Sequence, residues 1–201
     1  MSDFLVHLIR KGDGAYRGFM SILAGGVLKP GPKAFGAARE MGESQRSVCF
    51  SEVPLGFLTR FMASRSTMGI AFHKSIAVAR GCAPVWYVRP KSKPFSAVKK
   101  LIAEAKASGE SDSPVWALTP FIDHPAAAYK YEFEWEREWR HVGAFEFKPP
   151  DVAFLLLEGE NHARARSFLA AAEAENLGPN YPCPFVDPRW STTEVAAALG
   201  P

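Results

Sequence analysis

The densest group of chemically reactive side chains in this 201-residue chain is the segment 134–140, Glu-Trp-Glu-Arg-Glu-Trp-Arg. Alternate residues of a β-strand face the same way, so Glu134, Glu136 and Glu138 would share one face. Three neighbouring carboxylates repel one another unless water or cations surround them. The pattern predicts either a solvated acidic face or a pocket in which one carboxylate stabilises a cationic transition state or orients a ribose hydroxyl.

Glu138 is the catalytic candidate among these glutamates, because it lies nearest to Trp139, where the apolar residues change phase. Arg140 would share the face of Glu138. A guanidinium in that position either pairs with the carboxylate or binds a phosphate. Both alternatives place the two side chains at one site.

A second polar group comes from the N-terminal part of the chain. His7 interrupts an apolar first strand, where a histidine is either hydrogen-bonded in the core or catalytic. Ser47, Ser51 and Glu52 flank a strand that ends at a Val-Pro step, since the residue before proline disfavours helical geometry. These polar residues either cap the turn or project into a cleft at the edge of the sheet.

The sequence has no motif typical of a metal site or of a phosphate-binding loop. The histidines form no HxxxH or HExxH motif, the three cysteines form no CxxC pair, and no phosphate-binding glycine loop occurs, so we predict no metal site. A net charge of +3 and a pI near 8.8 are too mild to indicate nucleic-acid binding. No apolar run has the length of a membrane span and no signal peptide is evident, so we expect a cytoplasmic protein.

The elements that must position these residues are strands alternating with short helices, as apolar periodicity and flanking glycines and prolines predict. The predicted strands cover residues 4–10, 47–54, 68–72, 83–88, 131–147 with a phase break at Trp139, and 151–158. The predicted helices cover residues 16–24, 55–62, 74–79, 94–108, 161–175 and 192–199, and 29–46 is a predicted loop. At this length we expect a single domain, 1–201, with a core at about residues 4–175 and a Pro-rich C-terminal tail, 176–201.

A series of short segments occurs in an order that resembles the abortive phage-resistance family AbiGi. They are the first strand with His7, SILAGGVL (21–28), VCFSEVPL (48–55), GIAF (69–72), PVWYV (84–88) and EREWR (136–140). The resemblance covers most of residues 4–145.

The AbiGi family is in turn similar in layout to ADP-ribosyltransferases, which implies a fold and a ligand. The implied fold is an α+β domain with a split, largely antiparallel sheet and peripheral helices. The implied ligand is NAD: His7 would bind the adenosine ribose, Arg10 the diphosphate, and Ser51 would lie near the nicotinamide. Glu138 would hold the nicotinamide ribose while the bond from C1′ to nitrogen breaks, with Arg140 beside it.

The resemblance thus implies an enzyme of bacterial phage defence, or of a toxin–antitoxin system, that transfers ADP-ribose from NAD to a macromolecule. The alternative is a catalytically inactive, antitoxin-like or regulatory module that binds another protein. A third hypothesis, nucleic-acid binding, requires one shared face for a set of basic residues. That set is Arg60, Arg65, Lys74, Lys91, Lys93, Lys99 and Lys100.

Overall fold

The computed structural model describes residues 2–31, 35, 41–42, 44–52, 54, 57–58, 62, 66–124 and 137–200, and it has an α+β fold. The strands are β1 (Phe4–Leu8), β2 (Val27–Leu28), β3 (Ser47–Ser51), β4 (Gly69–His73), β5 (Ala83–Pro84), β6 (Trp86–Tyr87), β7 (Ile122–Asp123), β8 (Glu138–Val142), β9 (Phe145–Glu146), β10 (Val152–Leu156) and β11 (Phe185–Val186). The helices are α1 (Ala15–Gly25), α2 (Lys74–Ala79), α3 (Lys93–Ser108), α4 (Val115–Leu118), α5 (His162–Ala174) and α6 (Thr192–Leu199). Most of the predicted helix 55–62, and Glu134 and Glu136, lie outside the described residues.

The chain forms two compact units. Unit 1 comprises Met1–Leu28, Phe50–Ala79 and Glu146–Pro201, and unit 2 comprises Lys29–Cys49 and Arg80–Phe145. The expectation of a single domain stays a prediction, because compactness does not test whether either unit folds alone.

The sheet of unit 1 is built around β4. β1 pairs with β4 antiparallel over its whole length, from Phe4 to Leu8. β10 pairs antiparallel with the other side of β4, with a register shift between Val152 and Phe154, and β11 adds parallel to β10. β4 is buried from Gly69 to Phe72. A strand that is covered on both faces has a continuous apolar run, and this run is the pattern that predicted β4.

The core of unit 1 lies against these strands and draws on distant parts of the chain. Phe154 and Leu156 of β10 pack with Ala71 of β4 and with Val195 of α6. The full cluster of buried side chains is Val6, Leu58, Met62, Ala71, Phe154, Leu156, Val186 and Val195. The C-terminal helix is therefore part of the core of this unit.

α1 ends at a position that only glycine fits well. Phe19, Met20 and Leu23 bury the inner face of this helix. Gly26 follows in the left-handed conformation, with a φ of 60°, and its N–H donates to the carbonyl of Ile22 at 2.8 Å. A Cβ atom on Gly26 would lie 2.6 Å from the carbonyl oxygen of Phe147. The predicted glycine stop is confirmed, and the close approach of Phe147 adds a second reason for it.

The proline-rich segment that follows α5 is anchored to unit 1 by buried polar groups. The side chain of Tyr181 is fully buried, and its hydroxyl donates to the carbonyl of Leu23 at 2.7 Å. The carboxylate of Asp187 accepts from the amide of Gly159 at 2.6 Å and from the guanidinium of Arg189 at 2.7 Å. The predicted helix 192–199 is confirmed as α6. β11, which the sequence did not predict, adds this segment to the sheet.

Unit 2 packs around α3, and the prediction of this helix at 94–108 is confirmed. Ser92 caps its N-terminus by accepting from the N–H of Phe95 at 3.3 Å, and Gly109 ends it with a φ of 71°. Its inner face joins a cluster of buried side chains from the rest of the unit. The members are Phe35, Val88, Val98, Ile102, Ala105, Val115, Trp116 and Ile122.

The strands of unit 2 differ from the prediction at β7, which was not predicted, and at residues 83–88. Residues 83–88 form two short strands rather than one: β5 pairs antiparallel with β8, whereas β6 pairs parallel with β7. Pro84 has no N–H to continue a ladder, and Val85 donates instead to the carbonyl of Glu138 at 2.8 Å. Glu138 belongs to β8, so the partner changes only after Val85, when Trp86 begins to pair with β7.

The backbone is irregular on both sides of β8, close to the phase break predicted at Trp139. Arg137, immediately before β8, has a φ of 44°. Such a left-handed residue interrupts the alternation of a strand as a bulge does. A second interruption follows β8 at Gly143, where φ is 78°.

None of the helices among the described residues combines the length and the apolar character needed to cross a bilayer.

We expect Gly26→Ala to destabilise unit 1 by about 1–3 kcal/mol, since alanine disfavours a positive φ and its Cβ would meet a backbone carbonyl. Gly18→Ala is the matched control: the position is exposed within α1, and a Cβ there has nothing within 4 Å. Alanine at position 18 should stabilise by about 0.5–1 kcal/mol through helix propensity. Urea denaturation measures both changes, and equal effects would contradict the role given to Gly26.

Asp187 gives a pH-dependent prediction. Burial alone would raise the pKa of its carboxyl, but the hydrogen bonds from Arg189 and Gly159 outweigh burial and lower the pKa from 3.8 to about 2. A lowered pKa contributes stability that is present above the unfolded value and is lost as pH falls towards the folded value. Asp187→Asn should therefore cost about 1–2 kcal/mol at neutral pH and progressively less below pH 4. Urea midpoints across that range test this, and a pH-independent difference would contradict it.

Candidate functional site

The five residues that the sequence singled out fall into two groups. His7, Arg10 and Ser51 belong to unit 1, whereas Glu138 and Arg140 belong to unit 2. Each group is described by its own contacts.

In unit 1, β1 and the end of β3 position His7 and Ser51. The ring of His7 contacts Phe50 edge to face, with 5.9 Å between ring centroids. Ser51 lies opposite Val6 in the register of β1 and β3. Cross-strand partners share a face and neighbours along a strand alternate, so the side chains of His7 and Ser51 project from opposite faces of the sheet. Arg10 is exposed beyond the end of β1.

Glu52, next to Ser51, makes a well-defined ion pair. Its side chain is 5% exposed, and its Oε1 lies 2.9 Å from Nζ of Lys74, the first residue of α2. This contact holds the Glu52 carboxylate within unit 1 and so speaks against its projection into a cleft, while turn capping stays a prediction.

In unit 2, Arg140 is the centre of a buried polar network, and its side chain is fully shielded from water. Its Nε donates to Oε1 of Glu138 at 3.1 Å and its Nη2 to Oε2 at 3.2 Å. Its Nη1 donates to the carbonyl of Pro120 at 2.8 Å, and its Nη2 also donates to Asp123 at 2.5 Å. The hydroxyl of Tyr87 donates to Oε2 of Glu138 at 2.8 Å. We call Tyr87, Asp123, Glu138 and Arg140 the Arg140 network.

Three local features bring this network together. Glu138 and Arg140 are two residues apart on β8 and so share a face. The parallel pairing of β6 with β7 sets Tyr87 opposite Asp123. The 3-10 turn Thr119–Phe121, directly before β7, presents the carbonyl of Pro120.

The electrostatics of the Arg140 network favour its ionised form. Burial by itself would lower the pKa of Arg140, but the charge and hydrogen bonds of Glu138, together with Asp123, outweigh burial and raise the pKa. Burial, and then the neighbouring charge of Glu138, raise the pKa of Tyr87. Tyr87 therefore stays a neutral donor at physiological pH. One guanidinium faces two carboxylates, and the more exposed of the two is Asp123, at 38%.

The chemistry open to Glu138 is limited by these contacts. Both of its carboxylate oxygens accept hydrogen bonds, and its side chain is 12% exposed. A carboxylate paired with a buried guanidinium is a weak base, and its charge is largely neutralised. The arrangement suits a structural ion pair, the alternative that the sequence left open for Arg140. The catalytic role of Glu138 stays a prediction, as do the NAD-binding roles of His7, Arg10, Ser51 and Arg140.

Sequence reasoning did not identify Tyr87, Asp123 or Pro120 as partners. Tyr87 lies 51 residues from Glu138, and Asp123 lies 17 residues from Arg140. No motif spacing marks such contacts, because they arise from the pairing of β6 with β7. The only local signal was the apolar strand pattern around Tyr87.

Two of the three cysteines, Cys82 and Cys183, are held in the thiol form. Burial raises the pKa of the Cys82 thiol to about 12 despite the nearby charge of Arg80. Burial likewise raises the pKa of the Cys183 thiol to about 11. A thiol with so high a pKa carries almost no thiolate at neutral pH, so neither is an activated nucleophile.

The chain matches the model of one protein family, described as "Putative abortive phage resistance protein AbiGi, antitoxin", over residues 38–167. This range is roughly two thirds of the chain. The chain belongs to the AbiGi family. No curated protein and no solved structure matches it significantly. The resemblance to AbiGi is thereby confirmed, whereas the further likeness to ADP-ribosyltransferases finds no support in these comparisons.

The extent of the AbiGi match bears on the predicted site. It includes Ser51, Glu138 and Arg140, and it covers all of Arg80–Phe145. His7 and Arg10 lie before its first residue. The two residues assigned to the adenosine and diphosphate parts of NAD are therefore outside the matched region.

Arg140→Met should destabilise this AbiGi protein by about 3–5 kcal/mol, because it leaves two carboxylates without their buried counter-charge. Glu138→Gln is the milder variant, since its amide oxygen still accepts a hydrogen bond, and it should cost about 1–2 kcal/mol. Urea denaturation with circular dichroism measures both. If Arg140→Met is as stable as the wild type, the network contributes no net stability and the structural reading of Glu138 fails.

Proposed function

We propose that this protein is a non-enzymatic antitoxin that binds a toxin protein of an abortive phage-resistance system through unit 2 and blocks that toxin. The observation that carries the proposal is the match to the AbiGi antitoxin family, which includes all of Arg80–Phe145. Both proteins would meet in the cytoplasm, which is the location we expect for this chain.

The internal contacts of unit 2 support binding rather than catalysis. Glu138 and Arg140 are the polar residues that the sequence marked for catalysis and ligand binding. They bond to each other and to neighbours within the unit. A catalytic carboxylate must reach its substrate, and here that would require breaking the contact with Arg140. A binding module needs no such rearrangement, because the Arg140 network then serves to hold the surface residues in place.

The surface of unit 2 offers apolar anchors for a protein partner. Trp86 is 53% exposed and Leu118 is 56% exposed. Large apolar side chains contribute much of the affinity at protein interfaces, and tryptophan is prominent among them. Trp86 stands on β6 directly before Tyr87, so the Arg140 network fixes the strand that presents it.

Coexpression with the toxin of the same phage-resistance system tests the proposal. The wild type should restore the growth of toxin-expressing cells, and Trp86→Ser and Leu118→Ser should each weaken rescue, since each removes an apolar contact with the partner. Phe168→Ser is the matched control: Phe168 is 55% exposed, lies in unit 1 and falls just outside the family match. Wild-type protein that is present at normal levels yet fails to rescue growth would refute the antitoxin proposal.

The transferase hypothesis predicts a different result with the same protein. If Glu138 is catalytic and His7, Arg10, Ser51 and Arg140 bind NAD, purified protein should transfer label from NAD to a component of a cell lysate. The antitoxin proposal predicts no transfer and no NAD binding by calorimetry. Transfer by the wild type that is lost in Glu138→Gln, a variant verified to be folded, would decide for the enzyme.

A further inference from the structure

The orientation of α3 within unit 2 leaves a strongly basic surface on its outer side. Val98, Ile102 and Ala105 are buried in the core of the unit. The opposite side of the helix therefore faces solvent along its 16 residues. Four exposed lysines lie on the solvent-facing part of α3 in two rows about 100° apart. Lys93 and Lys100 lie opposite the buried side, and Lys99 and Lys106 lie on its flank. We call these four residues the lysine face.

The spacing of the lysine face is regular. Lys93 and Lys100 are seven residues apart, as are Lys99 and Lys106. Seven residues of an α-helix return to within about 20° of the same direction. At a rise of about 1.5 Å per residue, each pair spans about 10 Å along the axis. The residues between the two rows are small and exposed, namely Ser96, Ala103 and Ala107. The Nζ of Lys99 lies over the ring of Phe95, 5.7 Å from its centroid, so the row of Lys93 and Lys100 offers the more open pair of charges.

The charges of α3 and of the few residues before it are almost entirely of one sign. Segment 89–106 contains six Lys and Arg residues and a single acidic residue, Glu104. Glu104 lies 3.7 Å from Nζ of Lys100, but both side chains are well exposed, at 58% and 77%. Such a pair is worth little in water. The first turn of α3 has no acidic residue, so the positive end of the helix dipole adds to the lysines.

A nucleic acid, the third hypothesis drawn from the sequence, is not well matched as a partner by these residues. The basic set required for it includes Lys74, which lies in unit 1 and pairs with Glu52 at 2.9 Å. Single-stranded nucleic acids are usually held by exposed aromatic rings next to the charges. Phe95, the aromatic residue of α3, packs instead against Phe35 and His124, with ring centroids 5.9 and 5.7 Å apart.

We infer that the lysine face binds an acidic helical segment of the toxin, with Asp or Glu side chains repeated at seven-residue spacing. This inference rests on the proposed function and names the chemistry of the partner surface. Charged rows at seven-residue spacing pair across neighbouring helices and set their register, as in coiled coils. Paired surface charges mainly accelerate association, so the interaction weakens steeply with salt.

The first experiment uses the full chain and a synthetic helical peptide with glutamates at seven-residue spacing, compared with a permuted peptide of the same composition. The spaced peptide should bind more tightly, and Lys93→Glu/Lys100→Glu should weaken its binding by about tenfold or more at low salt. Lys11→Glu/Lys148→Glu is the control, because it changes the net charge equally at exposed positions of unit 1. Equal binding of both peptides, or equal loss in both double variants, would overturn the inference. So would tighter binding of a duplex DNA or a single-stranded RNA probe than of the spaced peptide.

The second experiment separates the inference from the function on which it rests. If the wild type neutralises the toxin and Lys93→Glu/Lys100→Glu does so equally well, the lysine face is not the docking surface, although the antitoxin proposal stands. If the double variant loses rescue and Lys11→Glu/Lys148→Glu retains it, both proposals are supported. If the wild type fails to rescue growth, the antitoxin proposal fails, and so does the claim that the acidic partner is the toxin.

Discussion

A guanidinium that is wholly shielded from water stays charged only if the protein replaces its hydration, and this requirement at Arg140 determines much of the construction of unit 2. Each of its nitrogens donates to an acceptor, in Glu138, Asp123 or the carbonyl of Pro120. These acceptors belong to β8, β7 and the turn before β7, so one side chain fixes the relative positions of several short elements. Strands of two residues have little stability of their own, and a buried ion pair in which every guanidinium nitrogen donates supplies the directional constraint that they lack.

This arrangement bears on the choice between the two roles that the sequence allowed for Glu138 and Arg140. Considered alone, a glutamate and an arginine two residues apart suit either an ion pair or a site for a charged ligand. The hydroxyl of Tyr87 and the carboxylate of Asp123 complete the coordination of the pair from within the unit. The polar groups of the Arg140 network are thereby directed inward. Trp86, Leu118 and the lysines of α3 are exposed, and these side chains are suited to contacts with another macromolecule. That division agrees better with an antitoxin of the AbiGi family than with a transferase.

The sequence predicted elements well where a single segment carries the whole signal. The helix expected at 94–108 begins one residue earlier, at Lys93, and α6 has the predicted bounds. β4 follows from its continuous apolar run. The prediction was wrong for residues 83–88, because the chain leaves β8 after Val85 and pairs with β7 from Trp86, which divides the run into two strands with different neighbours. It also missed β11, since two residues that join a sheet edge leave no periodicity to detect.

For this protein the sequence by itself determined the fold class, the main helices and membership of the AbiGi family. It also gave the pairing of Glu138 with Arg140 as one alternative. These features depend on residues that are close together in the chain or on the linear order of segments. Only the tertiary structure decided that Tyr87 and Asp123 complete the network around Arg140 and that Glu52 pairs with Lys74. It also decided which part of α3 faces solvent, and so that its lysines are exposed in two rows. The physical reason is that burial and pairing of charge depend on contacts through space. Residues 51 or 17 positions apart meet only after the strands that carry them have paired.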